Sequence, residues 1–311
     1  MKNNKALLLL IGFLLSIVAL SAQFLYLFQM EVATPAEQPS TEPEYDYPLT
    51  IHFIDAGQGD ATLIEGPDFT ILIDAGRHDD ERVIRYLNST RVDHLDLLIG
   101  THPHSDHIGQ FSQILNRYPV DEVWMSGELH TTYTFERALD AILASDAAYR
   151  EPRAGERYEV GSATLDVFHP AELIGDLNNG SIVVKLTFSE LAVLFMGDAE
   201  LPAELEILNR HHPVQADILK IGHHGSSSSS SIPFIEEVNP QAAIYSAGRD
   251  NTYGHPHFEV ISRLLDRDIG VYGTDRNGTM RLFSDGQTYT LRNDQRILSR
   301  GTLSKMVLYD P

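Results

Sequence analysis

Three histidines and one aspartate crowd into the stretch "THPHSDH" at residues 101–107: His102, His104, Asp106 and His107. Imidazole nitrogen and carboxylate oxygen are both zinc ligands, and a catalytic zinc keeps one coordination position for water. In an extended or turning loop, side chains at i and i+2 both reach one ion, which suits His102 and His104. Asp106 and His107 then face a second ion. Two ions need a shared ligand, and a carboxylate with two oxygens serves. Asp198 in "FMGDAE" is the candidate, and one of His223 and His224 in "HHG" supplies the remaining ligand. Two metals roughly 3.5–4 Å apart lower the pKa of a water held between them. The chemistry predicted is therefore hydrolysis by a hydroxide that two divalent metals activate. The chain has no Cys, so a metal site must be built from His and carboxylates. Alone, Asp198 reads equally well as the N-cap of a helix over 200–209. Its company argues for the metal.

These clusters share a place in the pattern. "LDLLIG" runs into "THPHSDH", "LAVLFMG" into Asp198, and "ADILKIG" into "HHGS". Each apolar run reads as a strand, and strand ends are where a rigid scaffold holds ligands on loops. Other strand-like runs are "LTIHFID", "FTILID", "ATLDVF", "SIVVKLTF" and "QAAIYSA". Helical patterns cover 80–88, 108–117, 132–145, 200–209 and 257–267, and "GVYGTDRNGTMRLFSDGQTYTLR" reads as strands with turns. Strands with helices between them predict a layered α/β or α+β domain over 49–292. The six serines at 226–231 read as a loop, and no fixed-period repeat is present. Asp74, ending "FTILID", is expected to orient a ligand histidine. His130, His169, His211 and His212 are read as surface or structural.

The chain has 311 residues, is 42% hydrophobic and carries a formal net charge of -21. Such an acidic surface disfavours non-specific DNA binding, which needs Lys and Arg to neutralise phosphates. It leaves room for a phosphoester held by metals inside a pocket. Residues 6–30 carry no charge and follow Lys2 and Lys5. They read as a single-pass membrane anchor within 1–30, with the catalytic domain outside the cytoplasm. The rival is a signal peptide cut near "ALSAQ", which would release a secreted protein. Residues 31–48, rich in Pro and Glu, read as a disordered linker, and 293–311 as a C-terminal tail without assigned role.

The stretch "HPHSDHIG" resembles the H-x-H-x-D-H signature of the metallo-β-lactamase fold. The likeness is closer to one branch, the hydrolase domain of ComEC-type competence proteins and its free-standing relatives. "IHFIDAGQGDATLI" with "TILIDAG", "DLNNGSIVVKL", "DILKIGHHGSSSSSS", and "YGHPHFEVISRL" with "TDRNGTMRLFSDG" resemble further segments of that branch, in order over residues 49–292. The resemblance implies an α+β fold, a four-layer αββα sandwich with the site at one edge of two sheets. It implies His102 and His104 on one metal, Asp106, His107 and His224 on the other, and Asp198 between them. His223 would then face substrate. Zinc is the expected metal, with manganese the alternative. Two departures stand out. The wider fold has another metal-binding His where this chain has "NNGS" at 178–181, with His169 a conceivable substitute. Gln110 stands in "HIGQ", where the branch has Gly-Gly.

The expected function is an extracytoplasmic phosphodiesterase or nuclease, with Asp106, His223 and His255 in catalytic roles. His255 and His257 in "YGHPHF" would contact a phosphate or protonate the leaving group. Lys220 is read as structural. The resemblance points to DNA and the charge away from it, which favours small phosphodiesters. The alternatives are hydrolysis of a lactone, thioester, ester or amide by the same metals, or a non-catalytic binding module in the cell envelope.

Overall fold

The computed structural model describes residues 47–303, so the expected anchor and residues 31–46 of the linker lie outside the described residues. The chain first lays down β1 (Leu49–Phe53), β2 (Thr62–Glu65), β3 (Thr70–Ile73), β4 (Leu95–Gly100), β5 (Val120–Met125) and β6 (Ala148–Arg150). A second sheet follows: β7 (Arg157–Val160), β8 (Ala163–His169), β9 (Val183–Phe188), β10 (Leu191–Phe195), β11 (Ile218–Lys220), β12 (Ala242–Tyr245) and β13 (Gly270–Gly273). The chain then returns to the first sheet with β14 (Met280–Ser284), β15 (Thr288–Arg292) and β16 (Ile297–Thr302). The spatial orders are β16-β15-β14-β1-β2-β3-β4-β5-β6 and β13-β12-β11-β10-β9-β8-β7. Strands β3 to β6 run parallel, as do β10 to β13. Their carboxyl ends therefore point in common directions, and the polar clusters sit there.

The sheets are nearly continuous in apolar residues because both of their faces are covered. In β4, Leu97 and Ile99 join the core between the sheets, while Leu95 and Leu98 face helices. Helices α1 (Arg82–Ser89), α2 (Phe111–Leu115) and α3 (Tyr133–Ala144) cover the first sheet with Val83, Leu87, Phe111, Ile114, Phe135 and Ile142. Helices α4 (Leu201–Asn209), α5 (Ile232–Val238) and α6 (Phe258–Leu265) cover the second with Ile207, Phe234, Ile235, Val260 and Leu264. Each fully buried side chain of this size contributes about 1.5–3 kcal/mol. The result is the expected αββα sandwich, with the short α7 (Thr274–Asn277) between β13 and β14.

Local chemistry sets the helix ends. Thr132 accepts from the Phe135 amide and starts α3, as an N-cap does. The helix expected over 108–117 is confined to α2, because residues 104–109 turn instead. The His107 and Ile108 amides both bond the His104 carbonyl, and the Gly109 amide bonds Gly76. Several elements carried no clear sequence signal, β5, β6 and β7 among them. Helix α5 begins directly after the serine run. Residues 293–303, left without a role by the sequence, carry β16, which pairs antiparallel with β15. No residue of β16 is fully buried and half are exposed, so it has little apolar periodicity to read.

Candidate metal centre

Six donors meet at the edge of the sandwich. The His102 Nε2 atom lies 2.9 Å from His104 Nδ1 and 3.6 Å from Asp198 Oδ2. His107 Nε2 lies 3.3 Å from Asp198 Oδ1. His224 Nε2 lies 3.4 Å from Asp106 Oδ2 and 3.7 Å from Asp198 Oδ1. Ligands about 2.0–2.1 Å from a tetrahedral zinc stand roughly 3.3 Å apart, so these separations suit donors around shared ions. Three triads among the described residues have ligand atoms all within 4.8 Å of one another, and two of them lie here: His102, His107 and Asp198, and Asp106, His107 and His224. All six residues named from the sequence as ligands come together, with Asp198 reaching both groups.

The decisive test of fit is what these atoms lack. His107 Nε2, His224 Nε2 and Asp198 Oδ1 are buried without a hydrogen-bond partner. An unpaired buried polar atom costs about 1–3 kcal/mol. Three such atoms aimed at one small volume fit divalent cations there.

The outer nitrogens of His107, His223 and His224 are tied down, which fixes those rings. His107 Nδ1 meets Asp74 Oδ2 at 2.7 Å. Asp74, buried and at φ 59°, also accepts from the Thr101 amide at 2.9 Å and the Thr101 hydroxyl at 2.8 Å. The Asp74 role expected from sequence is thus visible. His224 Nδ1 donates to the Ser246 carbonyl at 2.9 Å, and His223 Nδ1 meets Glu200 Oε1 at 2.8 Å. Both His223 (φ 46°) and His224 (φ 55°) hold left-handed backbone, a strain that surrounding contacts must sustain.

Those contacts come from the serine run. Ser228 donates to Glu200, Ser229 to the Gly222 carbonyl, and the Ser230 and Ser231 amides to Glu204. Behind His224, Lys220 and Asp60 form a buried ion pair, and Ser246 Oγ donates to the other Asp60 oxygen at 3.0 Å.

Burial opposes charge throughout the cluster, and neighbours decide who keeps it. Burial would raise Asp198, but His107, His224 and His102 hold it well below the usual carboxylate range. Burial and the adjacent His107 push His102 well below the ordinary imidazole value, leaving it a neutral donor of a lone pair. Burial lifts Asp74 although His107 opposes it, while Asp198 and Asp74 lift His107 against its own burial. The 2.7 Å contact thus ties the outer nitrogen of His107 to a buried carboxylate.

A cleft of about 290 Å³ opens over these donors. His104, Asp106, Asp198, His223, His224 and His255 line it, as the sequence led one to expect, together with Ser105. Gln58, His130, Thr132, Asn178 and Tyr253 complete it and were not anticipated. His130 departs from its expected surface or structural role and stands edge-on to His104 at 5.7 Å. Burial, with His224 and His223 nearby, pushes His255 down to about 4. His257 instead accepts the Ser227 amide at 2.8 Å and braces the serine loop. His169 does not replace a ligand: its Nδ1 bonds the Ser181 carbonyl and its Nε2 faces Glu206 at 3.5 Å.

The "NNGS" segment divides its labour. Asn178 lines the cleft, Asn179 Oδ1 accepts from the Glu200 amide ahead of α4, and Ser181 Oγ accepts from the Asp198 amide. Gln110, where the resemblance had left the turn open, is buried and ties the Ile84 amide to the Arg77 carbonyl.

A model of the metallo-beta-lactamase superfamily matches residues 54–249. The chain is 31% identical over 251 residues to ComE operon protein 3 of Bacillus subtilis (strain 168), covering 74% of this chain and 32% of that protein. It is 27% identical over 248 residues to Competence protein ComA of Neisseria gonorrhoeae, covering 78% of this chain and 33% of that one. The chain thus spans about a third of the length of these curated relatives. The metallo-beta-lactamase fold protein YhfI of Bacillus subtilis superimposes with a TM-score of 0.51 at 11% identity, over 75% of this chain and 99% of that one.

Proposed function

Since the chain belongs to the metallo-beta-lactamase superfamily, we propose that it is a metal-dependent phosphodiesterase, with nuclease activity as one form, acting outside the cytoplasm and tethered by residues 6–30. One observation supports phosphodiesters over carboxylic esters: among the described residues, no aliphatic side chain lines the cleft. Sites for apolar ligands are walled mostly by hydrophobic side chains. A lactone or thioester with an acyl chain, or a β-lactam, would have no such wall to lie against. The oxygens of a phosphodiester instead meet His, Asn, Gln, Ser and Thr.

His102, His104 and Asp198 would hold one ion, and Asp106, His107 and His224 the other, with Asp198 shared. When bound, such ions supply Lewis acidity and draw the pKa of water toward neutrality. Zinc suits imidazole with carboxylate, and manganese is the alternative.

The protein's own groups do the rest. Asp74 and the Ser246 carbonyl keep His107 and His224 turned inward. His223, held at Nδ1 by Glu200, keeps Nε2 over the cleft for a phosphoryl oxygen. Asp106 both holds metal and borders the reacting centre. His255, pushed down to about 4, is a neutral imidazole near pH 7, suited to a hydrogen bond with substrate rather than to protonating the leaving oxygen.

The test is turnover by the full chain, purified without chelator, on bis-p-nitrophenyl phosphate beside a lactone and nitrocefin. Cleavage of the phosphodiester alone supports the proposal. Turnover of only the lactone or nitrocefin overturns it.

A further inference from the structure

Three rings stack outward from the metal centre. His224 and His255 lie 6.0 Å apart at 24°, and His255 and Tyr253 lie 5.7 Å apart at 22°. Tyr253, the outermost, is 62% exposed and lines the cleft, so one face of its ring is open to a ligand. The column is built rather than accidental. The Asn251 Oδ1 accepts from both the Tyr253 amide (3.1 Å) and the His255 amide (3.0 Å), while Asn251 Nδ2 donates to the His255 carbonyl (2.6 Å). His257 braces the edge of His255 at 5.0 Å. Meanwhile His255 Nδ1 is buried with no partner, a polar atom left beside the platform.

The described residues that line this cleft include no Lys or Arg, while Arg77, close enough to act on Asp106 and Tyr253, lies in the adjoining pocket with Arg82 and Arg249. Inside the cleft the side chains add little cationic grip on a phosphate backbone, which leaves room for affinity of another kind. Aromatic stacking supplies it, because every base has a π-face, whatever the sequence.

We propose that Tyr253, backed by His255, is a stacking subsite for a nucleobase adjacent to the scissile phosphodiester, so that the substrate class is a nucleic-acid phosphodiester with an unpaired base. This rests on the phosphodiesterase reading. A paired base keeps its faces inside the helix stack, so a duplex offers Tyr253 little.

The experiment is equilibrium binding and cleavage by the full chain with manganese. The ligands are a fluorescent thymidine decamer, an abasic decamer of the same length, and a thymidine dinucleotide as competitor. The wild type should prefer the thymidine decamer, and Tyr253→Ala should shrink that preference by about 5- to 50-fold, with Tyr253→Trp retaining it. Because both decamers carry the same phosphates, the preference should change little with salt. Equal affinity for both decamers, or a preference that survives in Tyr253→Ala, overturns the subsite even where both are cleaved. A Tyr253-dependent preference without cleavage of either decamer leaves the subsite standing and removes the phosphodiesterase reading. Competition by the dinucleotide as strong as by the decamer assigns the subsite to small nucleotide diesters, and weak competition assigns it to strands.

Discussion

Two clusters of His and Asp in this molecule look alike on paper and differ in physics. At the sheet edge, His102, His107 and Asp198 are all buried, and His107 Nε2 and Asp198 Oδ1 have no hydrogen-bond partner. On the surface, His94, Asp96 and Asp121 also bring ligand atoms within 4.8 Å of one another. There, however, His94 Nε2 meets Asp121 at 2.9 Å and His94 Nδ1 faces Asp96 at 4.0 Å. The Nε2 atom of His94 is thus already taken by Asp121, and solvent reaches all three side chains. The surface groups satisfy one another and water. Only the buried cluster leaves lone pairs that a cation alone would satisfy. Composition does not make a metal site. Unmet donors held inward do.

That contrast can be broken most forcefully at Asp198. Asp198→Ala removes the one carboxylate that reaches both groups of donors. Metal content should collapse and turnover fall by more than about 100-fold, beyond the 10–100-fold typical of losing an outer partner. Circular dichroism should show the fold retained. Near-normal turnover would remove the shared role of Asp198.

Next comes the charge behind His224. Lys220→Met leaves Asp60 buried without its cation and should destabilise by about 3–5 kcal/mol, while Lys220→Met with Asp60→Asn should recover much of it. Thermal melts of the two variants decide. Equal losses would mean that the pair matters through packing rather than charge.

Asp74→Asn keeps the shape but takes the carboxylate from His107. A 10–100-fold loss of metal affinity is expected, read by competition with a chelating dye. Unchanged affinity would mean that Thr101 and packing alone orient the ring.

The smallest effect belongs to the surface cluster. The hydrogen bond that His94 donates to Asp121 raises His94 above its ordinary value, despite slight desolvation. A raised histidine contributes stability that is complete below the ordinary imidazole pKa of about 6.5 and is lost as pH rises through the higher native value. His94→Ala should therefore cost less than about 1 kcal/mol at low pH, where solvent screens the pair, and less still at high pH. Metal content should not change. A metal lost with His94 would erase the distinction between the two clusters.

The sequence was most legible where chemistry restricts residue type. His102, His104, Asp106, His107, Asp198 and the "HHG" pair stand out because few other residues hold a metal, and each follows an apolar run that needs no tertiary information to be read as a strand. Asn178, His130 and Glu200 were not legible. Each is a single polar residue on a loop, and only the packing of loops from different sheets brings them to the cleft. The serine run reads as featureless because its order comes from Glu200, Glu204 and Arg263, which lie elsewhere in the chain. Strand β16 is hidden for the opposite reason: an exposed edge strand needs no apolar face.

The central claim is that this cluster exists to hold two cations. It is tested most directly by elemental analysis of the full chain purified without chelator, with zinc and manganese counted per protein. About two ions per chain, falling sharply in Asp198→Ala, is the predicted result. No bound metal in the wild type, with the fold intact and no gain in thermal stability on adding zinc or manganese, would contradict it.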